Sequence, residues 1–132
     1  FLLIGLSLNF LKYGEFSLAN LPTGEILIPS LLLAFITAIS EETVFRGYIF
    51  NRLSEILKNS WTANFISSVG FCLIHLPISI FVYHFSLPQV FIFLLLIFLS
   101  SLGSGLLFVW TGSVWASIIV HVFWSWPIVF LR

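Results

Sequence analysis

The chain opens on an apolar run to Leu11, passes through a polar stretch at 12–24 (Lys12, Gly14, Glu15, Asn20, Pro22, Gly24), and then turns apolar in runs far longer than a strand. That pattern predicts helices. The second begins near Glu25, tolerates Pro29 in its first turns, carries no charge from Ile26 to Ser40, and continues through EETVFRGYIFNRLSEILKN to about residue 58. Its last part sets Arg52, Glu55 and Lys58 against Leu53, Ile56 and Leu57, an amphipathic pattern expected to leave the membrane near Phe50. A third helix is expected over 61–76, stopped by Pro77, a fourth over 88–110, and a fifth over 112–130 with Pro127 near its end. No internal repeat interrupts them.

Composition says what surrounds these helices. Of 132 residues, 60% are hydrophobic and 8% charged, whereas soluble domains run near ~25% charged and ~45–50% apolar. A polar coat is lacking, so the solvent is mostly lipid. At about 20 residues per crossing, the length holds four or five passes: an all-α, polytopic transmembrane helix bundle, one domain over 1–132. Strands are not expected, because open sheet edges are not tolerated in lipid. Zero net charge and the lack of a Lys/Arg cluster exclude nucleic acid as a partner. A single cysteine, Cys72, excludes an internal disulfide and a Cys-type metal site, and with no basic group on its face to stabilise a thiolate it reads as packing. A chain that starts at Phe1 and contains no Met reads as a piece of a longer protein, its first apolar stretch the tail of a membrane helix. Arg46, Arg52 and Lys58 gather around the turn between the second and third helices, which places that turn in the cytoplasm of a multi-pass protein of the cell membrane.

Against that background the ionisable residues stand out, since one at the centre of a membrane helix costs about 2.5–3.5 kcal/mol on insertion scales. Glu42 and Arg46, at i and i+4, neutralise each other on one face, which suits a structural ion pair as well as a site. Glu41 is different. It points about 100° away from Glu42, and its own face carries Ala34, Thr37, Ala38 and Phe45, none of which neutralises it. Its partners must come from other helices, and the small residues beside it let a neighbouring helix come close.

Depth nominates two histidines. Glu41 lies nine residues inside Phe50, and His121 nine residues after Gly112, each roughly 14 Å deep at ~1.5 Å per residue. Glu41 and His75 are each 17 residues from Lys58, so an antiparallel hairpin turning at 58–60 sets them side by side. Asn64, Ser68, Phe71 and His75 follow helical spacing on the third helix, and Ser113, Ser117, His121 and Ser125 form an i, i+4 stripe on the fifth. Either histidine alone would read as a satisfied interhelical donor; level with an unpaired glutamate, they read as a site. His84 falls in the loop at 77–87 and reads as solvent-exposed. SSLGSG at 100–105 reads as a close-packing seam, and the five tryptophans as interfacial anchors or packing.

A buried carboxylate beside a neutral imidazole can share the deprotonation of a water, and His121 with Ser125 one turn on can donate to the oxyanion of a tetrahedral intermediate. The chemistry indicated is hydrolysis. Glu41, His75 and His121 could instead hold Zn²⁺ with an open position for water, but HExxH is absent, so a metal-free, cofactor-free site is preferred.

EETVFR at 41–46 matches EExxxR, FCLIH at 71–75 matches FxxxH, and HVFWS at 121–125 resembles HxxxN. In order and spacing the three resemble the CAAX prenyl protease and bacteriocin-processing (CPBP, or Abi) family over about 25–130. The resemblance implies an intramembrane endopeptidase in which Glu41 and His75 activate water, Glu42 and Arg46 support them, and His121 helps form the oxyanion hole. It implies membrane lipid and a membrane-presented peptide or protein substrate as partners, with CAAX cleavage in eukaryotic members and peptide or bacteriocin processing in bacterial ones. The departure is Ser125 where the family has Asn, a shorter and less fixed donor. The competing reading is a non-catalytic bacteriocin-immunity or membrane scaffold protein. A proton-coupled transporter would call for broken helices or inverted repeats, and the sequence has neither.

Overall fold

The computed structural model describes residues 1–14 and 24–130, with side chains as far as Trp126. The elements are α1 (Leu2–Tyr13), α2 (Gly24–Glu42), a π-helical segment (Thr43–Phe50), α3 (Asn51–Leu57), α4 (Ser60–Phe81), α5 (Leu87–Thr111) and α6 (Val114–Phe130), and no strand occurs among the described residues. The all-helical expectation therefore holds. Glu25–Leu57, Ser60–Phe81 and Leu87–Thr111 are long and apolar enough to cross a membrane, while Leu2–Tyr13 and Val114–Trp126 are shorter apolar helices. Of the four or five crossings expected, three have full length. The polar stretch at 12–24 lies outside the described residues from 15 to 23.

Local chemistry sets the turns. Lys58 takes a left-handed φ of 53°, and the Asn59 side chain accepts from the backbone N–H of Trp61 and Thr62, capping α4. This is the hairpin expected at 58–60. Ser86 opens α5 with a capping box to Gln89, and Pro88 fits its first turn. Gly112 closes α5 at φ 65°, a conformation that favours glycine, and starts the tight turn into α6.

Two expectations about the rods need correction. Pro77 does not stop the third helix: α4 runs on to Phe81. A proline costs one i→i−4 bond, but beyond it Ser79 is fully buried and bonds Leu76 O, and the backbone N–H groups of Val82 and Tyr83 both return to Ile78 O. In an apolar surround, where open backbone groups are expensive, the helix continues past the proline. The second rod is not uniformly α-helical. From Thr43 to Phe50 it widens into a π-helix, directly after the paired glutamates. The wider turn keeps Phe45, Arg46 and Phe50 all inward, and the Asn51 side chain donates to Gly47 O where the α-helix resumes.

Packing follows the small residues. Ala34 and Ala38 of α2 sit against Ile118 and Val122 of α6, as the small face beside Glu41 predicts. Gly5 of α1 lies against the backbone of Trp124, and Gly105 of α5 against the Asn64 side chain, two approaches that a Cβ would block. Leu8, Phe45, Phe71, Phe93, Ile97 and Trp124 form the largest apolar core. Large apolar side chains such as Ile36, Leu73, Phe91 and Ile119 face outward, as lipid-facing positions should. Among the described residues the α2 backbone packs on that of α6 and stands away from those of α4 and α5, which it reaches only through its last side chains. The helices therefore part above the π-segment, and the site lies in that gap.

Candidate active site

Glu42 is a buried carboxylate, 1% exposed. An isolated carboxylate cannot stay charged there without partners, and three side chains converge on it. His121 Nδ1 lies 2.8 Å from Oε1, with Arg46 Nη1 at 3.2 Å; Arg46 Nε lies 3.0 Å from Oε2, and Ser104 Oγ donates to Oε2 at 3.0 Å. The Arg46 fork continues to α5, where Nη2 donates to Ser101 O and Ser101 Oγ at 2.7 and 2.8 Å. Ser101 Oγ in turn donates to Ser68 Oγ, Asn64 Nδ2 to Leu102 O, and Ser117 Oγ to Ser104 O. The SSLGSG run therefore provides more than a packing seam: its hydroxyls and carbonyls complete the ion pair. Every polar side chain of this network is buried, and it fills the bundle on the side of the Lys58 and Gly112 turns.

Glu41 sits one residue earlier and has a different fate. Its Oε2 is buried with no hydrogen-bond partner, and His121 Nε2 stands 3.8 Å away. His121 thus bridges the carboxylates, bonding Glu42 through Nδ1 and facing Glu41 with Nε2, its ring lying on Trp124 at a centroid distance of 4.6 Å. Spacing alone pairs His121 with Glu41; the rotation of α6 gives its hydrogen bond to Glu42. His75 Nδ1 is 2.8 Å from Phe71 O. A carbonyl only accepts, so Nδ1 carries the proton and Nε2 of the neutral ring keeps its lone pair.

Glu41, His75, His121 and Ser125 line one cavity of about 220 Å³, which Leu33, Ala34 and Thr37 of α2, Ile78 of α4, Tyr83, and Phe93 and Ile97 of α5 complete. Ser125 Oγ is buried there without a partner. The cavity draws on the second half of α2, the C-terminal part of α4 and the second half of α6, and Tyr83 places it toward the 82–86 loop and away from the ion-pair network. Of the residues singled out by sequence, Glu41, His75, His121 and Ser125 share this cavity, while Glu42 and Arg46 lie behind it. Cys72 donates to Leu94 O and His84 is exposed, both as expected. The residues that sequence reasoning missed as site supports are Ser101 and Ser104, whose spacing was legible only as small-residue packing. Among the described residues no three of His, Cys, Asp and Glu are grouped so as to hold a metal ion.

The match to known families fits this geometry. A family model for Rce1-like type II CAAX prenyl endopeptidases covers residues 23–127. The chain belongs to this family. No curated protein and no solved structure matches it. The Rce1-like stretch contains the π-segment, the buried Glu42–Arg46 pair and Glu41, His75, His121 and Ser125 of the cavity, whereas α1 precedes it. With its three long apolar helices, this Rce1-like chain is part of a membrane protein.

Proposed function

We propose that this Rce1-like chain is an intramembrane endopeptidase, in a multi-pass protein of the cell membrane, that hydrolyses a peptide bond with a water held between Glu41 and His75. One observation carries the reading: Glu41 Oε2 is buried without a hydrogen-bond partner in a cavity that also receives His75 and the unpartnered Ser125 Oγ. Buried polar groups are rarely left unpaired, and a water and a substrate carbonyl would satisfy both.

The water oxygen adds to the carbonyl carbon as Glu41 takes one water proton, and His75 Nε2 accepts a hydrogen bond from the other O–H. Ser125 Oγ donates to the oxyanion. His121 Nε2 can join it only when the ring carries its second proton, because Nδ1–H is committed to Glu42. The proton on Glu41 then passes to the amide nitrogen as the C–N bond breaks, leaving an amine and a carboxylic acid. Glu42 and Arg46 position His121 and do not touch the substrate. The family description supports a CAAX-like protein as substrate; a processed peptide or bacteriocin belongs to the same proposal in a bacterial setting.

Ser125 in place of the family's Asn favours a second reading, a non-catalytic immunity or scaffold protein that retains the fold. The experiment that separates them reconstitutes the protein in vesicles with peptides bearing a lipidated cysteine near the C-terminus, and reads products by mass spectrometry. The protease reading expects a released fragment with wild type and none with Glu41→Gln. Intact substrate with wild type, together with toxin protection that survives Glu41→Gln, establishes the scaffold reading instead.

A further inference from the structure

The bond that holds Glu42 also prepares His121 for a reaction that the peptide mechanism does not use. Glu42 Oε1 accepts from His121 Nδ1 at 2.8 Å, and Arg46 and Ser104 fix that carboxylate from its other sides. The neutral ring therefore keeps its lone pair on Nε2, which is turned toward Glu41 and the cavity. Ser125 follows His121 by four residues on the same face of α6, and its Oγ is buried in that cavity with no hydrogen-bond partner. A carboxylate that orients an imidazole, whose free nitrogen shares a cavity with a hydroxyl, is the arrangement that activates a serine. Ser125 and His121 are not bonded at rest, and such bonds tighten when a substrate enters. An asparagine has no hydroxyl to offer, so the departure at Ser125 is what opens this chemistry.

The cavity also limits what Ser125 can attack. A peptide bond needs a donor at its oxyanion, and Ser125 Oγ cannot be that donor and the nucleophile at once. A carboxylic ester has a more reactive carbonyl and a better leaving group. The wall formed by Leu33, Ile78, Phe93 and Ile97 suits a short hydrocarbon acyl chain in a space of about 220 Å³.

We propose that Glu42, His121 and Ser125 form a serine triad, a second activity in the same cavity that moves the acyl group of a short-chain carboxylic ester onto Ser125. Oγ adds to the ester carbonyl carbon as its proton passes to His121 Nε2. The C–O bond to the alcohol then breaks, the departing oxygen takes that proton, and the acyl group stays on Ser125 as an ester. Water adds to this ester as Glu41 takes one of its protons, and the proton goes to Oγ as the C–Oγ bond breaks, releasing a carboxylic acid. The second step rests on the water-activating role proposed for Glu41 and His75, and the first does not.

The test uses the full chain in vesicles, with the melting temperature of each variant measured alongside. An alkyl fluorophosphonate, which phosphonylates an activated serine with loss of fluoride, should modify Ser125 and no other serine when the sites are mapped by mass spectrometry. Ser125→Ala and Ser125→Asn should abolish the modification, and His121→Gln, whose amide keeps a donor for Glu42, should slow it at least about 10²-fold. With para-nitrophenyl butyrate, Glu41→Gln should release one equivalent of nitrophenol per chain and then stall at least about 10²-fold below wild type. No phosphonyl group on Ser125, or one added at the wild-type rate in folded His121→Gln, overturns the triad whether or not peptides are cleaved. Nitrophenol released by Glu41→Gln at the steady wild-type rate overturns the second step. Phosphonylation that depends on His121, in a protein that cleaves no peptide, upholds the triad and removes the proteolytic reading alone.

Discussion

Glu42 and His121, 79 positions apart in sequence, meet at 2.8 Å in the centre of the bundle. The contact ties α6 to the end of α2, and it carries Arg46, Ser104 and Ser101 with it. Glu41, next in sequence to Glu42, is thereby freed of structural duty and left to face the cavity.

The buried pair should be costly to break and cheap to delete. Glu42→Leu leaves Arg46 charged and unpaired, and about 3–5 kcal/mol of stability should be lost. Adding Arg46→Met should recover most of that loss, because both charges are then gone. Thermal unfolding of the single and double variants in detergent gives the coupling; a double variant as unstable as the two single losses combined would rule out the pair as a unit.

Gly105 lies where a Cβ would meet the Asn64 amide, which bonds Leu102 O. Gly105→Ala should therefore push Asn64 out of that bond and cost about 1–3 kcal/mol. Gly70→Ala serves as the control, since the nearest atom to its Cβ would be Phe45 Cε1 at an ordinary 3.8 Å. The melting temperatures of the two variants should separate clearly.

Much of this arrangement was legible in the chain because antiparallel helices conserve depth. Glu41, His75 and His121 share a level by residue count alone, and Ala34 and Ala38 announce the close approach of α6. Rotation about each helix axis is not encoded in spacing, so His121 was matched to Glu41 when its shorter bond is to Glu42. Ser101 and Ser104 were hidden for a related reason: small residues pack helices and donate hydrogen bonds alike, and only the position of Arg46 decides between the roles. The π-turn over Thr43–Phe50 has no compositional mark, and Pro77 misled because a proline one turn from a helix end is tolerated where apolar surroundings hold the other bonds.

Ser125 is the one motif position that departs from the family, and its Oγ has no partner. If it donates to the oxyanion, Ser125→Ala should lower kcat by about 10² with little change in KM. Ser125→Asn should preserve or raise kcat, since a carboxamide reaches further. Unchanged turnover in Ser125→Ala would take Ser125 out of the site.

The cavity extends toward the 82–86 loop and is closed on the other side by the ion-pair network. In a Cys72→Ala background, Thr37→Cys and Ile78→Cys should react with a membrane-impermeant thiol reagent added on the side of that loop, and Ser68→Cys should resist it from either side. Labelling of Ser68→Cys at a comparable rate would show that the network does not seal the site. The same labels report which face of the membrane the 82–86 loop occupies, and so test the placement of the Lys58 turn in the cytoplasm.

The claim on which the rest depends is that Glu41 and His75 jointly activate a water without holding the fold together. Single-turnover cleavage of a membrane-delivered peptide by wild type, Glu41→Gln and His75→Ala, with melting temperatures measured in parallel, tests it directly. Each variant should lose at least about 10³-fold in rate while melting within a few degrees of wild type. Cleavage at near wild-type rate by either variant would contradict the account.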